Sequence, residues 1–326
     1  MALVGTINSG NNLNFKNKII NGNFDIWQRG TSFTTAGYSA DRWSTSADTN
    51  SGWTVSRQAF TVGQTEVPGE PTYFMRFAIS AGNLAGPVFQ QRIEDVRTFA
   101  GKTVTASFYT KVSSGSTFTP SYFRMTQNFG SGGSADSFVI PNETITAITG
   151  SWAKYTYTFN VPSITGKTIG AGNYINFMFR IPDSTTTTVD LAQVQVEEGS
   201  VATGFDYRPY TTELALCHRY FISYGGTTGY ERFAVGLCNN TTNASVCTFL
   251  PVPMRIAPSL SYSALAHFGA YDGGNVTVLS AFSLDQPSNV VVTYNATVAS
   301  GLTQYRPAQL VANNSSSARL LLSAEL

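Results

Sequence analysis

The stretch Gln193-Val-Gln-Val-Glu-Glu-Gly-Ser-Val-Ala-Thr-Gly-Phe-Asp-Tyr-Arg-Pro209 carries a strand into a turn-rich connection, after which the period of the sequence changes. In residues 211–221, Leu214, Cys217 and Phe221 recur at helical spacing. Pro209 precedes them, and Thr211 or Thr212 can cap the segment. His218 and Arg219 fall where the negative end of a helix dipole favours them. So short a helix is marginal alone and must pack on a domain. On both sides the chain is patterned as strands. The stretch therefore marks a seam between two β domains. The expected architecture is all-β: an N-terminal arm at 1–16, a jelly-roll β-sandwich at 17–208, a linker helix at 209–221 and a second β-sandwich-like domain at 222–326.

Working outward, alternation is clear. Tyr73, Met75, Phe77 and Ile79 share one parity, as do Val104, Ala106 and Phe108. Tyr155, Tyr157, Phe159 and Val161 are apolar against Lys154, Thr156, Thr158 and Asn160, and Ile175, Phe177, Phe179 and Ile181 follow the same rule. Such strands bury one face and present the other to polar surroundings. In 189–196 the phase changes. Val189 and Leu191 have one parity, Ala192, Val194 and Val196 the other, so an extra residue, a β-bulge, is expected near Leu191. Gly and Ser clusters punctuate the strands, and no helical crossover intervenes, which points to antiparallel sheets. Beyond the helix, strands are expected at 232–237, 245–250, 275–282, 289–294 and 318–322. The prolines of Pro251-Val-Pro-Met-Arg-Ile-Ala-Pro258 exclude a central strand and predict an edge or a sheet-crossing segment.

Composition narrows the function classes. Charged residues are 12% of the chain against an ordinary ~25%, so Ser, Thr, Asn and Gly must solvate the surface. Aromatics at 13% mean that the chain buries a core. Net charge is +1 with no basic stripe, which argues against nucleic acid as a partner. No apolar run reaches the ~20 residues needed to span a bilayer, so no membrane insertion is expected. The start has no secretory pattern. Cys238 and Cys247 flank a turn and could form a disulfide across a hairpin; in a protein made in the cytosol they would stay reduced.

Catalytic chemistry is poorly supported. His218 and His267 have no accompanying Ser or Cys nucleophile motif and no metal-ligating spacing. Glu94-Asp95 and Glu197-Glu198 are sequence neighbours whose side chains diverge on a strand, so neither is a natural glycosidase pair. Binding is better supported. Trp53, beside Ser51-Gly52, and Tyr122, beside Pro120-Ser121, are candidate aromatic platforms for a sugar, with Arg124 as a hydrogen-bonding neighbour. Asp41-Arg42-Trp43 reads as a buried ion pair covering an indole, or as a sugar-binding trio. In Asn21-Gly-Asn-Phe-Asp-Ile-Trp27, Asp25 could join Asp190 of the last strand in a calcium site, because the first and last strands of a jelly roll lie close. The alternative is an Asx-turn at 21–23 and a surface Asp190.

Together, these segments resemble a module of bacteriophage tail fibres and related virion appendages. The opening Asn21-Gly-Asn-Phe-Asp-Ile-Trp-Gln-Arg-Gly30 with Tyr38-Ser-Ala-Asp-Arg-Trp43, the interior Gln91-Arg-Ile-Glu94 and Gly101-Lys-Thr-Val-Thr105, and the close Leu191 to Pro209 carry the likeness. Glu213 to Phe221, Pro251 to Pro258 and Ser323-Ala-Glu-Leu326 extend it to the distal part. The first domain is also similar to jelly-roll carbohydrate-binding modules, in which acids at the places of Asp25 and Asp190 often hold calcium. The resemblance implies a non-enzymatic protein of the virion, assembled in the host cytoplasm. It implies a homotrimer that joins other virion proteins through the N-terminal arm and binds host-surface polysaccharide. The short arm suits a compact appendage rather than a long fibre. A capsid- or neck-attached head fibre or decoration protein without receptor binding is the rival reading.

Overall fold

A computed structural model describes residues 15–46, 52–80, 87–113, 117–183 and 185–326. All but the last two residues of the expected N-terminal arm lie outside these. The described chain is almost entirely β and divides into two compact units. One comprises residues 1–25 and 31–209, the other residues 26–30 and 210–326.

The first unit is a sandwich of two six-stranded antiparallel sheets. Its strands are β1 (Ser32–Phe33), β2 (Gly37–Tyr38), β3 (Ser44–Ser46), β4 (Trp53–Ala59), β5 (Tyr73–Ile79), β6 (Val88–Glu94), β7 (Thr103–Val112), β8 (Tyr122–Asn128), β9 (Ser137–Val139), β10 (Ala153–Asn160), β11 (Tyr174–Arg180) and β12 (Thr187–Glu198). One sheet runs β1-β4-β5-β12-β7-β10, the other β2-β3-β6-β11-β8-β9. The alternating Phe residues meet between the layers. Phe77 of the first sheet packs edge-on to Phe89 of the second at 4.7 Å, and Phe108 lies 5.0 Å from Phe123. Phe123 also contacts Phe179 and Tyr157 at 4.8 and 4.6 Å. All are buried, and edge-to-face rings at such distances add to their area burial.

The phase change in β12 is a bulge. Ala192 pairs with Tyr109 and Gln195 with Ser107, so three steps on β12 match two on β7. The irregularity begins one residue beyond Leu191. Gln193 takes a left-handed backbone, φ 48. Residues 17–24 close over this bulge. Asn17 donates its amide to the Val194 carbonyl at 2.9 Å and accepts from the backbone N–H groups of Ile19 and Val196. The Val194 N–H donates to the Gly22 carbonyl at 2.9 Å. A Cβ on Gly22 would sit 2.1 Å from the Val194 oxygen, so only glycine fits. Asn21 donates to the Asp41 carbonyl and accepts from the Trp43 indole N–H, at 3.1 Å each. Trp43 is buried against Phe24. Asp41, Arg42 and Trp43 are all inside, which gives the trio its structural role.

In the second unit, α1 (Tyr210–His218) is followed by β13 (Phe221–Gly225), β14 (Arg232–Cys238), β15 (Asn243–Phe249), β16 (Ser259–Tyr262), β17 (Phe268–Tyr271), β18 (Val276–Leu284), β19 (Val291–Val298), β20 (Pro307–Ala312) and β21 (Arg319–Ser323). Six strands close into a barrel, β14-β15-β19-β18-β17-β20, beside a three-stranded sheet, β13-β21-β16. The sandwich-like domain thus closes its main sheet on itself, which removes free edges. Phe268, Phe282 and Tyr294 fill the barrel. The proline-punctuated segment leads from β15 in the barrel to β16 in the small sheet, a sheet crossing. The helix stops at His218 rather than 221, because Phe221 pairs with Ser323 as the first residue of β13. Residues 26–30 belong to this unit. Gln28 donates to the Phe221 carbonyl and accepts from the Ser223 N–H, at 2.9 and 3.1 Å. The Arg29 guanidinium lies 3.4 Å from the Phe221 ring centroid and pairs with Glu325 at 3.0 Å.

Cys238 and Cys247 form no disulfide. Register puts Cys238 opposite Ala244 and Cys247 opposite Val235. That odd offset points the two side chains to opposite faces, so the hairpin disulfide has no geometry to form.

Gly22→Ala is expected to destabilise the first unit by about 2–4 kcal/mol, through collision with backbone that cannot yield. Thermal melting followed by circular dichroism should fall by roughly 5–12 °C. An unchanged melting temperature would mean that residues 21–24 do not sit on the bulge.

Candidate functional site

The sequence candidates separate in the structure. Trp53 is only 5% exposed and stacks on Phe77 at 5.5 Å inside the sandwich. It is a core residue and not a sugar platform. β4 starts at Trp53 itself and turns the indole inward.

Asp190 also has a different role from the calcium ligand that the resemblance implies. It is 3% exposed, and both its oxygens are taken by Arg76, at 2.7 and 2.8 Å. Lys111 faces it across the strand pair. The hydrogen bond to Asp190 raises the Arg76 pKa, so this guanidinium stays charged. The positive charge beside Asp190 therefore comes from the protein. Burial pushes the Asp25 carboxyl above its usual range, and the 2.9 Å bond from Asn23 pulls it partly back. Among the described residues no group of three or more His, Cys, Asp or Glu converges on one point. Calcium takes about 6–8 oxygens, and the Asp190 carboxylate is already paired through both oxygens with Arg76.

Tyr122 and Arg124 do come together, on the outer face of the second sheet. Register builds this face in rows. Val88, Arg180 and Tyr122 form one row, and Gln90, Met178 and Arg124 the next. Arg92, Asn176 and Thr126 form a third, which Phe138 extends on β9. The alternate residues, Phe89, Phe123, Met125, Phe177 and Phe179, are buried in the sandwich, so the rows face away from it.

The Arg124 guanidinium lies 4.5 Å from the ring centroids of both Tyr122 and Phe138. The Arg180 guanidinium lies 5.7 Å from the Tyr122 ring centroid. Arg92 covers Tyr174 at 4.7 Å. Phe138 is 62% exposed although apolar. Arg180 pairs with Asp183 at 2.7 Å, but both are solvent-accessible, so the pair is worth little. Arg124 has no ion pair among the described residues. Three polar atoms on this face, Arg124 Nε, Arg180 Nε and Asn176 Oδ1, are closed to solvent and lack a hydrogen-bond partner. The Asn176 amide nitrogen donates to the Gln90 side-chain oxygen at 2.7 Å.

Chemically, the face offers aromatic surface to apolar C–H groups and a set of planar donors to hydroxyl or carboxylate oxygens. Parity placed Tyr122 and Arg124 together in the sequence. Arg180, Asn176 and Phe138 were not visible there, because their adjacency depends on pairing of β8 with β11 and β9.

No family model matches the chain, and no curated protein does. Solved structures with a similar fold include the enzymatically active domain of tailspike protein 4 from bacteriophage CBA120 (TM-score 0.37, 14% identity). The match covers 57% of this chain and 22% of that one, so the chain spans about a fifth of the tailspike. The CBM22-1 xylan-binding domain of Paenibacillus barcinonensis Xyn10C has a TM-score of 0.33 at 15% identity, covering 53% of this chain and 94% of that one. The family 11 carbohydrate-binding module from Clostridium thermocellum, solved with a mixed-linked tetrasaccharide, scores 0.33 at 12% identity, covering 53% and 97%. These are loose likenesses of sandwich architecture. The chemistry of the Tyr122 face rests on the chain's own geometry.

Asp190→Ala is expected to lower stability by about 1–3 kcal/mol, since it strands a half-exposed Arg76. Addition of a chelator should leave the melting temperature of the wild-type protein unchanged. A drop in melting temperature on chelation, restored by calcium, would contradict the assignment of Asp190 to Arg76.

Proposed function

We propose that this protein is a non-enzymatic, glycan-binding appendage of a bacteriophage virion, and that the outer face of the second sheet is its sugar-binding surface. One observation carries the reading. Arg124 is held between Tyr122 and an exposed Phe138, on a sheet face that the rest of the unit does not need for its core. Tyr122 and Phe138 supply apolar contact, while the guanidinium groups of Arg124 and Arg180 supply donors. An open face of this kind binds an extended chain weakly. Assembly as a homotrimer would multiply that affinity through effective concentration without new contacts. The N-terminal arm would join the other virion proteins. The resemblance to tail-fibre modules supports the virion setting.

Fluorescently labelled protein should stain the bacterial cells that the virion infects, and free surface polysaccharide should block the staining. Arg124→Ala and Tyr122→Ala should each weaken retention on immobilised polysaccharide by about tenfold or more, without change in melting temperature. Tight binding to empty capsids with no cell staining would replace this reading by that of a decoration protein. Progressive shortening of the polysaccharide would replace it by that of a depolymerase.

A further inference from the structure

The opening stretch of sequence builds a second feature, on the other sheet. A cleft of about 220 Å³ lies over the outer face of β7, β10 and β12. Its walls are aromatic: Tyr109 from β7, and Phe205 and Tyr207 from the segment that follows β12. Tyr207 is 66% exposed at its rim. Polar groups reach it from three directions, namely Ser107, Lys154 and Gln193.

Gln193 is the left-handed residue of the bulge. Bulges re-aim side chains beside binding sites, and strained residues persist where surrounding structure holds them. Here the Gln193 amide donates to the Pro68 carbonyl at 2.7 Å, which fixes one wall. The opposite wall is fixed as well. Glu197 accepts from the Thr203 N–H and hydroxyl, both at 2.8 Å, and the Asp206 N–H donates to Gln195 at 2.7 Å. The cleft is thus preorganised rather than a gap between loops.

Lys154 is the single charged residue lining it. Its ammonium donates to the Thr203 carbonyl at 2.9 Å and has no carboxylate partner among the described residues. The volume is below the ~300–1,000 Å³ of clefts for drug-sized ligands, so it suits one sugar ring and not a chain. We infer that this cleft binds a single acidic pyranose, a hexuronate at a chain end or branch. Tyr207 and Tyr109 would stack on the ring, and Lys154 would take its carboxylate. The inference rests on the glycan-binding reading but not on the Tyr122 face, since the two sites lie on different sheets.

Saturation-transfer NMR with methyl glucuronide and methyl glucoside tests it. The wild-type protein should bind the glucuronide in preference to the glucoside. Lys154→Ala should abolish that preference, and Tyr207→Ala should reduce binding of the glucuronide by about tenfold or more. Both side chains are exposed, so neither change threatens folding, which thermal melts would verify. Arg124→Ala, which should release polysaccharide, should leave the glucuronide signal intact. Equal binding of the two glycosides, or a preference unchanged by Lys154→Ala, would overturn the inference. So would wild-type protein that retains polysaccharide but gives no glucuronide signal, and this result would leave the Tyr122 face standing.

Discussion

The extra residue in β12 is the constraint on which the first unit turns. Before it, Val189 and Leu191 point into the sandwich; after it, Val194 and Val196 do. Without the bulge, one half of this central strand would turn its apolar set to solvent. The bulge also opens unpaired backbone groups, and residues 17–24 supply their partners. Asn17 works as a three-way bridge there, and Gly22 is required because the Val194 carbonyl occupies the space of any side chain. The same bend turns Gln193 onto the outer surface. Core phase, the N-terminal closure and the shape of the cleft thus share one cause.

Much of this was legible in the sequence, for identifiable reasons. Period-2 alternation marks Tyr157, Phe159, Phe177 and Phe179 as core because each lies in a strand with one wet face. The bulge shows itself as a change of parity, which local pairing alone must satisfy. The sheet crossing at 251–258 follows from proline chemistry. Other features depend on distant partners and leave no local trace. Closure of the barrel needs β14 to meet β20, some 70 residues on, and β20 was not among the expected strands. An indole in a core and an indole under a sugar use the same contacts, so Trp53 could not be sorted without its surroundings. An Asp that holds calcium and an Asp that holds arginine are the same residue, and only the register of Arg76 opposite Asp190 separates them.

The same limit explains the candidate site. Tyr122 and Arg124 are two apart and must share a face. Arg180, Asn176 and Phe138 join them only when β11 and β9 take their places on either side of β8. What results is a scaffold with a dense aromatic interior and polar, arginine-bearing outer surfaces. In the second unit, residues 26–30 stitch onto β13 through Gln28 and Arg29, so the opening sequence serves both units: Asn21 and Gly22 the first, Gln28 and Arg29 the second.

Amide hydrogen exchange at Val194 and Val196 tests the central claim most directly. If the bulge is clamped by Gly22 and Asn17, these two amides exchange only when the whole first unit unfolds, as slowly as those of Phe108 and Phe177 in the middle of the sheets. Exchange as fast as that of exposed turns would show the strand unclamped, and the account of the core, the closure and the cleft would fail with it.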